Sequence, residues 1–373
     1  MIYWKIPLAI CAFGIFSNTC MIILLIRRVS GSTVNRFLVL IALTQIILMC
    51  FTTAYKIHFE AGDRSPCPVA MLTFGWVLFQ LQYSIWSVYL RGYSLWLSVV
   101  MAMYRKNVLA KAVPRGPETI RSTIRLALGT GLLVLIICTP IFFQNIIEEG
   151  ASPPFKNDTT CPRNHSKYYA LHTPQFALRY DQLLLKVIYW SNGLLLKLCP
   201  CTLLTYYLIR VVVLMRQWNK RHRQYLQYRI SNPSETKSDR TASFCAKQDI
   251  NQDGGKFNYL KNSKIYANSA KSVVGPSSLI LVTILLSTVI CELPNTICSV
   301  MSGLFPDLFL RSVYMDLSEV MDLLSLISCT TSSILYFVMS RELRKLFVQT
   351  FFGWTKIRWC AEMDDENQAV AKI

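Results

Sequence analysis

Residues 278–303 read SLILVTILLSTVICELPNTICSVMSG, and they are the clearest sign of a membrane protein in this chain. Its apolar run is long enough for a helix to cross the hydrocarbon core of a bilayer, which takes about 20 residues. Glu292 and Pro294 lie in the middle of the run. An ionised side chain at mid-bilayer costs about 2.5–3.5 kcal/mol on insertion scales, so it should face protein and have a partner or a task. The stretch therefore predicts a membrane helix that directs a carboxylate into the interior of a bundle.

The rest of the chain has the same apolar character. Of its 373 residues, 53% are hydrophobic and only 16% are charged, and the mean hydropathy is +0.34. Apolar runs of membrane-spanning length lie at about 6–26, 37–57, 76–103, 126–147, 183–214, 278–303 and 316–340. Arg91 interrupts the third run and Asp322 the seventh. We predict an all-α membrane protein whose residues 1–340 form a seven-transmembrane helix bundle, with a signal peptide as the alternative for the first run.

The net charge of +18 could suggest a partner such as nucleic acid, but its distribution argues otherwise. If the N-terminus is extracellular, the inner segments carry 28 of the 39 Lys and Arg residues against 10 of the 21 acidic residues. These inner segments are 27–36, 104–125, 210–271 and 341–373. Positive charge concentrated on the cytosolic side is the signature of membrane topology. We therefore predict a multi-pass plasma-membrane protein that is embedded in the lipid bilayer and does not bind nucleic acid.

Two features of the predicted outer loops agree with this orientation. The glycosylation signals at Asn157 and Asn164 both lie between the fourth and fifth runs, which places that loop outside the cell. The outer loops hold two of the 13 cysteines, Cys67 and Cys161. Because this face matures in an oxidising compartment, we predict a disulfide between them, with two free thiols as the alternative.

The inner segments after the fifth and seventh runs differ in character. The residues RQWNKRHRQYLQYR, 216–229, should extend the fifth span as a basic helix, whereas the polar loop assigned to 220–276 is expected to be disordered and open to kinases and arrestin. Residues 341–373 should form an amphipathic helix on the inner membrane surface followed by a cytoplasmic tail. Cys360 in that tail is a palmitoylation site or an unmodified cysteine.

Three charged residues within the spans are predicted to lie at one depth. Counted from the inner ends of their spans at about 1.5 Å per residue, Glu292, Arg91 and Lys197 all reach roughly 20–22 Å. We therefore expect Glu292 to form a buried ion pair with Arg91 or Lys197 that joins spans three, five and six. Pro294 should weaken the backbone hydrogen bonds of its helix and make a hinge beside this pair.

The seventh run begins with three acidic residues at a spacing of three, Asp316, Glu319 and Asp322. On a helix they share a broad face, and Asp322 should lie in the outer half of the bilayer. An acidic face at the mouth of a pocket would attract a cationic ligand. The alternative is that these residues, Asp316 and Glu319 above all, are solvated and bind nothing.

One motif in the third span carries a family resemblance. The stretch SLWLSVVMAMYR, 94–105, resembles the S-x-W-L-x-V-x-x-A-x-x-R pattern of invertebrate FMRFamide- and myosuppressin-type neuropeptide receptors, and equally that of the related Srw-type serpentine chemoreceptors. Glu292-Leu-Pro294 is similar to the same group. These are rhodopsin-class G protein-coupled receptors. The resemblance implies that Arg105 contacts the G protein when span six moves outward and that Tyr336 moves with it.

The sequence also departs from the rhodopsin-class pattern at several positions. Tyr104 replaces the acid that usually precedes the arginine, so an immediate salt-bridge lock is missing there. Gln45 stands where an acid often binds sodium, and Ser332-Ser333 replaces the usual Asn-Pro of span seven. The resemblance therefore implies the receptor architecture, but not its ordinary switching residues.

The function predicted from these observations is a receptor that signals through heterotrimeric G proteins. The expected ligand is a short amidated peptide, whose guanidinium would pair with Asp322 or Glu319 in a pocket that also includes Arg91, Glu292 and Lys197. An environmental small molecule is the alternative ligand, and a transporter is the more distant alternative function. We expect no enzyme activity, cofactor or metal, since the chain has no H-E-x-x-H motif and no organised catalytic group.

Overall fold

The computed structural model describes residues 5–27, 33–60, 72–111, 120–150, 168–231, 276–304 and 315–351. Helices dominate these residues, as the composition predicts. The helices before the fifth are α1 (Lys5–Arg27), α2 (Thr33–Tyr55), α3 (Phe74–Lys111) and α4 (Ile120–Cys138). A π-helical turn, Lys56–Glu60, ends α2, and a 3-10 turn, Thr139–Phe143, ends α4.

The fifth helix, α5, is one rod with an irregular middle. It is α-helical over Gln175–Trp190, π-helical over Ser191–Leu198 and α-helical again over Cys199–Ser231. Its last part is rich in Arg, Lys and Gln, which are good helix formers. The helix therefore continues past residue 220, the predicted start of the disordered loop.

The remaining helices are α6 (Pro276–Leu304), α7 (Met315–Met339) and α8 (Arg341–Phe351). Six of the seven long helices among the described residues are long and apolar enough to cross a membrane. The exception, α3, has 38 residues but is less apolar, because Arg91 and many Tyr, Trp and Ser side chains lie along it. The prediction of an all-α membrane bundle with a helix after the last span is confirmed.

A two-stranded hairpin adds a feature that the sequence analysis did not predict. Strand β1 (Ile146–Gly150) pairs antiparallel with β2 (Tyr168–His172), so that Ile147 lies opposite Leu171. The Tyr169 amide donates to the Leu72 carbonyl at 3.1 Å, which attaches the hairpin to the start of α3. We call this end of the bundle the hairpin end and the opposite one the α8 end.

The largest core cluster lies toward the α8 end, where α2, α3, α5, α6 and α7 meet. Phe37, Leu97 and Leu204 are each 0% exposed within it. Helix α8 joins this core through Leu343, which is 1% exposed, and through the ring of Phe347, whose centroid is 5.0 Å from that of Phe337. This contact fixes α8 directly beneath α7.

Candidate functional site

A cavity runs through the bundle interior between α2, α3, α6 and α7. Its volume is about 40 Å³, which is enough for water molecules. Charged residues line it as well as apolar ones, since Arg91 and Glu292 both face it. Hydroxyl and amide groups make up the rest of its polar lining: Thr44, Gln45, Ser94, Ser98, Thr288, Ser325, Ser328 and Ser332. The interior of this bundle is therefore polar along the line where α3, α6 and α7 face one another.

The ion pair in this region joins α3 to α7. Arg91 Nη1 donates to Asp322 Oδ1 at 2.8 Å. The Arg91 side chain is 23% exposed and that of Asp322 is 52% exposed. Asp322 lies two turns from the start of α7 at Met315, on the side of the hairpin end. A carboxylate in the first two turns of a transmembrane helix is therefore half-exposed while it binds a guanidinium.

This arrangement corrects the predicted pairing of Glu292. Among the described residues, Arg91 pairs with Asp322, and Lys197 Nζ donates to Asn295 Oδ1 at 2.8 Å. Counting residues along a helix gives the depth of the Arg91 backbone. The long Arg91 side chain, however, extends to Asp322, which lies nearer the membrane surface. Lys197 instead takes the amide oxygen that follows Pro294 on α6. Two polar contacts therefore join α3 to α7 and α5 to α6, in place of one shared pair.

Glu292 keeps a central position between these contacts. It lines the cavity together with Arg91 and lies within electrostatic range of both Arg91 and Lys197. Ser325 of α7 also lines the cavity, and its buried hydroxyl lies beside the carboxylate. Among the described residues, the Glu292 carboxylate is thus stabilised by the nearby positive charges of Arg91 and Lys197 and not by a direct ion pair.

The other acidic residues of α7 are only partly described. Glu319 is exposed near the start of the helix, and the side chain of Asp316 lies outside the described residues. Asp322 is therefore the acidic residue of α7 that the structure brings together with Arg91.

Aromatic side chains continue the site toward the hairpin end. The rings of Tyr83 and Tyr55 stack with centroids 4.5 Å apart, and those of Trp76 and His58 stack at 3.5 Å. Tyr83 also lies within electrostatic range of the Arg91–Asp322 pair. We call Tyr55, His58, Trp76 and Tyr83 the aromatic wall. This wall was not predicted from the sequence, although Trp76, Phe79 and Tyr83 recur at the helical spacing that places side chains on one face.

The predicted coupling residues lie toward the α8 end. Arg105 is half-buried near the end of α3, and Tyr104 beside it is also half-buried. Tyr336 of α7 is 6% exposed and belongs to the main core cluster. Trp218 Nε1 of α5 donates to the Leu109 carbonyl at 3.0 Å, which joins the last turns of α3 to α5 one turn after Arg105.

Five predicted sites lie outside the described residues. They are the disulfide cysteines Cys67 and Cys161, the glycosylation sites Asn157 and Asn164, and Cys360. Their roles stay predictions. The residues that the structure describes contain no group of three His, Cys, Asp or Glu side chains suited to a metal ion.

Comparison with known proteins agrees with this architecture. The family model described as "Serpentine type 7TM GPCR chemoreceptor Srw" matches residues 5–246, more than half of the chain. The chain is also 24% identical over 371 residues to the G-protein coupled receptor dmsr-1 of Caenorhabditis elegans. That match covers 98% of this chain and 71% of the relative. The family resemblance carried by the third-span motif is thereby confirmed, and the chain belongs to the Srw family of serpentine seven-transmembrane G protein-coupled receptors.

Proposed function

We propose that this receptor binds a short, cationic peptide with an amidated C-terminus at the hairpin end and signals through heterotrimeric G proteins. The observation that carries the proposal is the exposed carboxylate of Asp322. A guanidinium or ammonium group would form a charge-assisted hydrogen bond with it, and such bonds are about twice as strong as neutral ones.

The aromatic wall supports an extended ligand over a compact one. Trp76 precedes Arg91 by 15 residues on α3, so the wall begins about 22 Å along the helix from the Arg91 backbone and ends at Tyr83, within electrostatic range of the ion pair. An extended peptide advances about 3.3 Å per residue, so roughly seven residues would fill the length from Trp76 to Arg91. Aromatic rings along the path would stack with ligand side chains or with a guanidinium.

An amidated terminus also suits the charges around Asp322. A free carboxylate close to the ligand cation would be repelled by Asp322 and would compete with it for that cation, and both effects cost binding free energy. An amide removes that cost, because it is neutral and still forms hydrogen bonds.

This proposal requires the hairpin end to be extracellular and the N-terminus to lie outside the cell. The uneven distribution of the net charge and the location of Asn157 and Asn164 support it. The Cys67–Cys161 disulfide would then form on the outer face. On the inner face, Arg105, Tyr104 and Tyr336 would couple to the G protein, and the loop after α5 would recruit kinases and arrestin.

The second candidate is an environmental small molecule, which the chemoreceptor description of the matching family model favours. A small amine would use Asp322 in the same way but would leave much of the aromatic wall uncovered. Cells expressing the full chain should therefore be screened against amidated peptides and small organic amines, with calcium and cyclic-nucleotide readouts. Activation by amines and by no peptide would favour the chemosensory function.

A matched pair of peptides would test the role of Asp322 in recognition. The change is Asp322→Asn, and the two ligands are an activating cationic peptide and its analogue with citrulline in place of arginine. A hydrogen bond to a charged group contributes about 1.5–3 kcal/mol, so the cationic peptide should lose roughly 10- to 150-fold in potency. The neutral analogue should change by less than about 3-fold, within the range of a neutral contact.

Glu319→Gln is the comparison for this measurement, because Glu319 is the other acid predicted from the sequence to pair with the guanidinium, whereas the structure brings Asp322 together with Arg91. Its effect on either peptide should be small. Equal losses for both peptides with Asp322→Asn would remove Asp322 from ligand recognition.

A further inference from the structure

The Arg91 guanidinium is only partly used by its ion pair. It reaches Asp322 through Nη1, while its Nε is buried and has no hydrogen-bond partner in the part of the chain that the structure describes. A buried donor without an acceptor costs about 1–3 kcal/mol. A second position of the Arg91 side chain would therefore be stabilised if it brought Nε to an acceptor.

Glu292 is the acceptor on the other side. It lines the same cavity as Arg91 and lies within electrostatic range of it. Where Asp322 is 52% exposed, Glu292 is half-buried and enclosed by the bundle. Charges attract more strongly where water is excluded, but pairing in the interior also costs the guanidinium its hydration, so Arg91 pairs with Asp322 while that carboxylate is available.

Helix α6 has its weakest point beside this carboxylate. Pro294 lies two residues after Glu292 and lies inside the helix. Proline has no backbone N–H, so the carbonyl one turn earlier loses its helical hydrogen bond. A force applied at Glu292 would therefore bend α6 at Pro294 and leave the rest of the helix regular.

We propose that Arg91 is a charge relay between the ligand and α6. The proposal rests on the proposed function, in which a ligand cation binds Asp322. That cation displaces Arg91, whose flexible side chain then turns to Glu292 and draws the Pro294 segment of α6 toward α3. The number of direct ion pairs increases from one to two, because the ligand cation pairs with Asp322 and Arg91 pairs with Glu292, while Lys197 keeps its hydrogen bond to Asn295. Binding at the hairpin end thus becomes a movement of the helix that opens the α8 end.

Basal signalling tests the relay without any ligand. Asp322→Asn removes the competing carboxylate, so Arg91 should pair with Glu292 for a larger share of the time. The full chain carrying this change should show about 3- to 10-fold more agonist-independent nucleotide exchange on the G protein, per receptor at the cell surface, as expected for a shift of about 0.7–1.4 kcal/mol. Adding Glu292→Gln should remove the entire increase, because Arg91 then has no charge to move to.

Two results would overturn the relay. One is an unchanged basal rate in Asp322→Asn, and the other is an increase that persists after Glu292→Gln is added. If Asp322→Asn does not reach the cell surface, the double variant Arg91→Asp with Asp322→Arg tests the relay instead. It preserves an ion pair but places the cation on α7, so basal exchange should fall below the wild-type level and become insensitive to Glu292→Gln. Basal exchange that still depends on Glu292 would refute the relay.

Failure of the relay and failure of the proposed function give different results. A peptide screen without any active peptide leaves the basal measurements valid, because they need no ligand. If the basal rates do not respond, the selectivity of Asp322 for a cationic peptide over its citrulline analogue still tests ligand recognition.

Discussion

The hydrogen bond between α5 and α6 allows a quantitative test of the interior. Lys197 Nζ donates to Asn295 Oδ1 at 2.8 Å, and Asn295 is 4% exposed. The change Asn295→Leu removes this acceptor and keeps the ammonium group inside the bundle. A hydrogen bond to a charged group contributes about 1.5–3 kcal/mol, and the electrostatic attraction of Glu292 offsets part of its loss. We expect a destabilisation of about 2 kcal/mol.

Thermal unfolding of the purified receptor in detergent measures this loss. For chains of 150–250 residues, about 2 kcal/mol corresponds to a decrease of roughly 4–8 °C in Tm, and the decrease should be somewhat smaller for this longer chain. Heating rates must be equal for all variants, because unfolding of such proteins is often irreversible. Asn295→Asp should keep its Tm close to that of the wild type or above it, because a carboxylate accepts the same hydrogen bond.

The neighbouring residue offers a matched control. Thr296 is 3% exposed, and its hydroxyl makes only neutral contacts: it donates to the Glu292 carbonyl of its own helix at 2.8 Å and lies 3.4 Å from Cys201 Sγ of α5. Thr296→Val should therefore cost less than about 1 kcal/mol, the usual value for a neutral hydrogen bond. If Asn295→Leu unfolds at the same temperature as Thr296→Val, the Lys197 contact does not stabilise the bundle.

Two further predictions concern packing and topology. A Cβ at Gly14 of α1 would lie 2.5 Å from Met49 Sδ and 2.6 Å from Thr330 Cγ2, and the branched threonine cannot easily move aside. Gly14→Ala should therefore reduce stability by about 1–3 kcal/mol. Gly129→Ala is the control and should leave Tm unchanged or raise it, because nothing lies within 4 Å of a Cβ at that position. Equal Tm values for both variants would contradict the close packing of α1. Enzymatic removal of N-glycans should increase the gel mobility of the receptor. The double variant Asn157→Gln with Asn164→Gln should not show this shift. Unglycosylated wild-type receptor at the cell surface would contradict an extracellular loop between α4 and α5.

The bundle was predictable because lipid imposes strong rules on sequence. Long apolar runs and their charged flanks are visible without any knowledge of contacts. The third helix shows the limit of this reasoning, because Arg91 and polar aromatic residues lower its hydropathy although its 38 residues form the longest uninterrupted α-helical segment described. Its place in the bundle follows from packing on its neighbours, which a composition average does not record.

The charged site was predictable only in part. Sequence reasoning identified Arg91, Lys197, Glu292 and Asp322 as residues with a task, because each is costly in a membrane. It assigned the wrong partners, since helix rise gives the depth of a Cα atom but not the direction of a side chain or the rotation of its helix. Asn295 was missed for another reason: a neutral amide in a helix gives no signal until its neighbour is known.

The π-helical segment Ser191–Leu198 has a consequence for how α5 is built. A π turn holds about one more residue than an α turn, so it shifts the angular phase of the residues before it by roughly 100° relative to the residues after it. Gly193 fits at this junction, where a Cβ would lie 3.3 Å from the Ser299 carbonyl oxygen of α6. The two halves of α5 therefore have independent orientations about the helix axis. Insertion or deletion of one residue here would reorient the half toward the hairpin while the basic half kept its register.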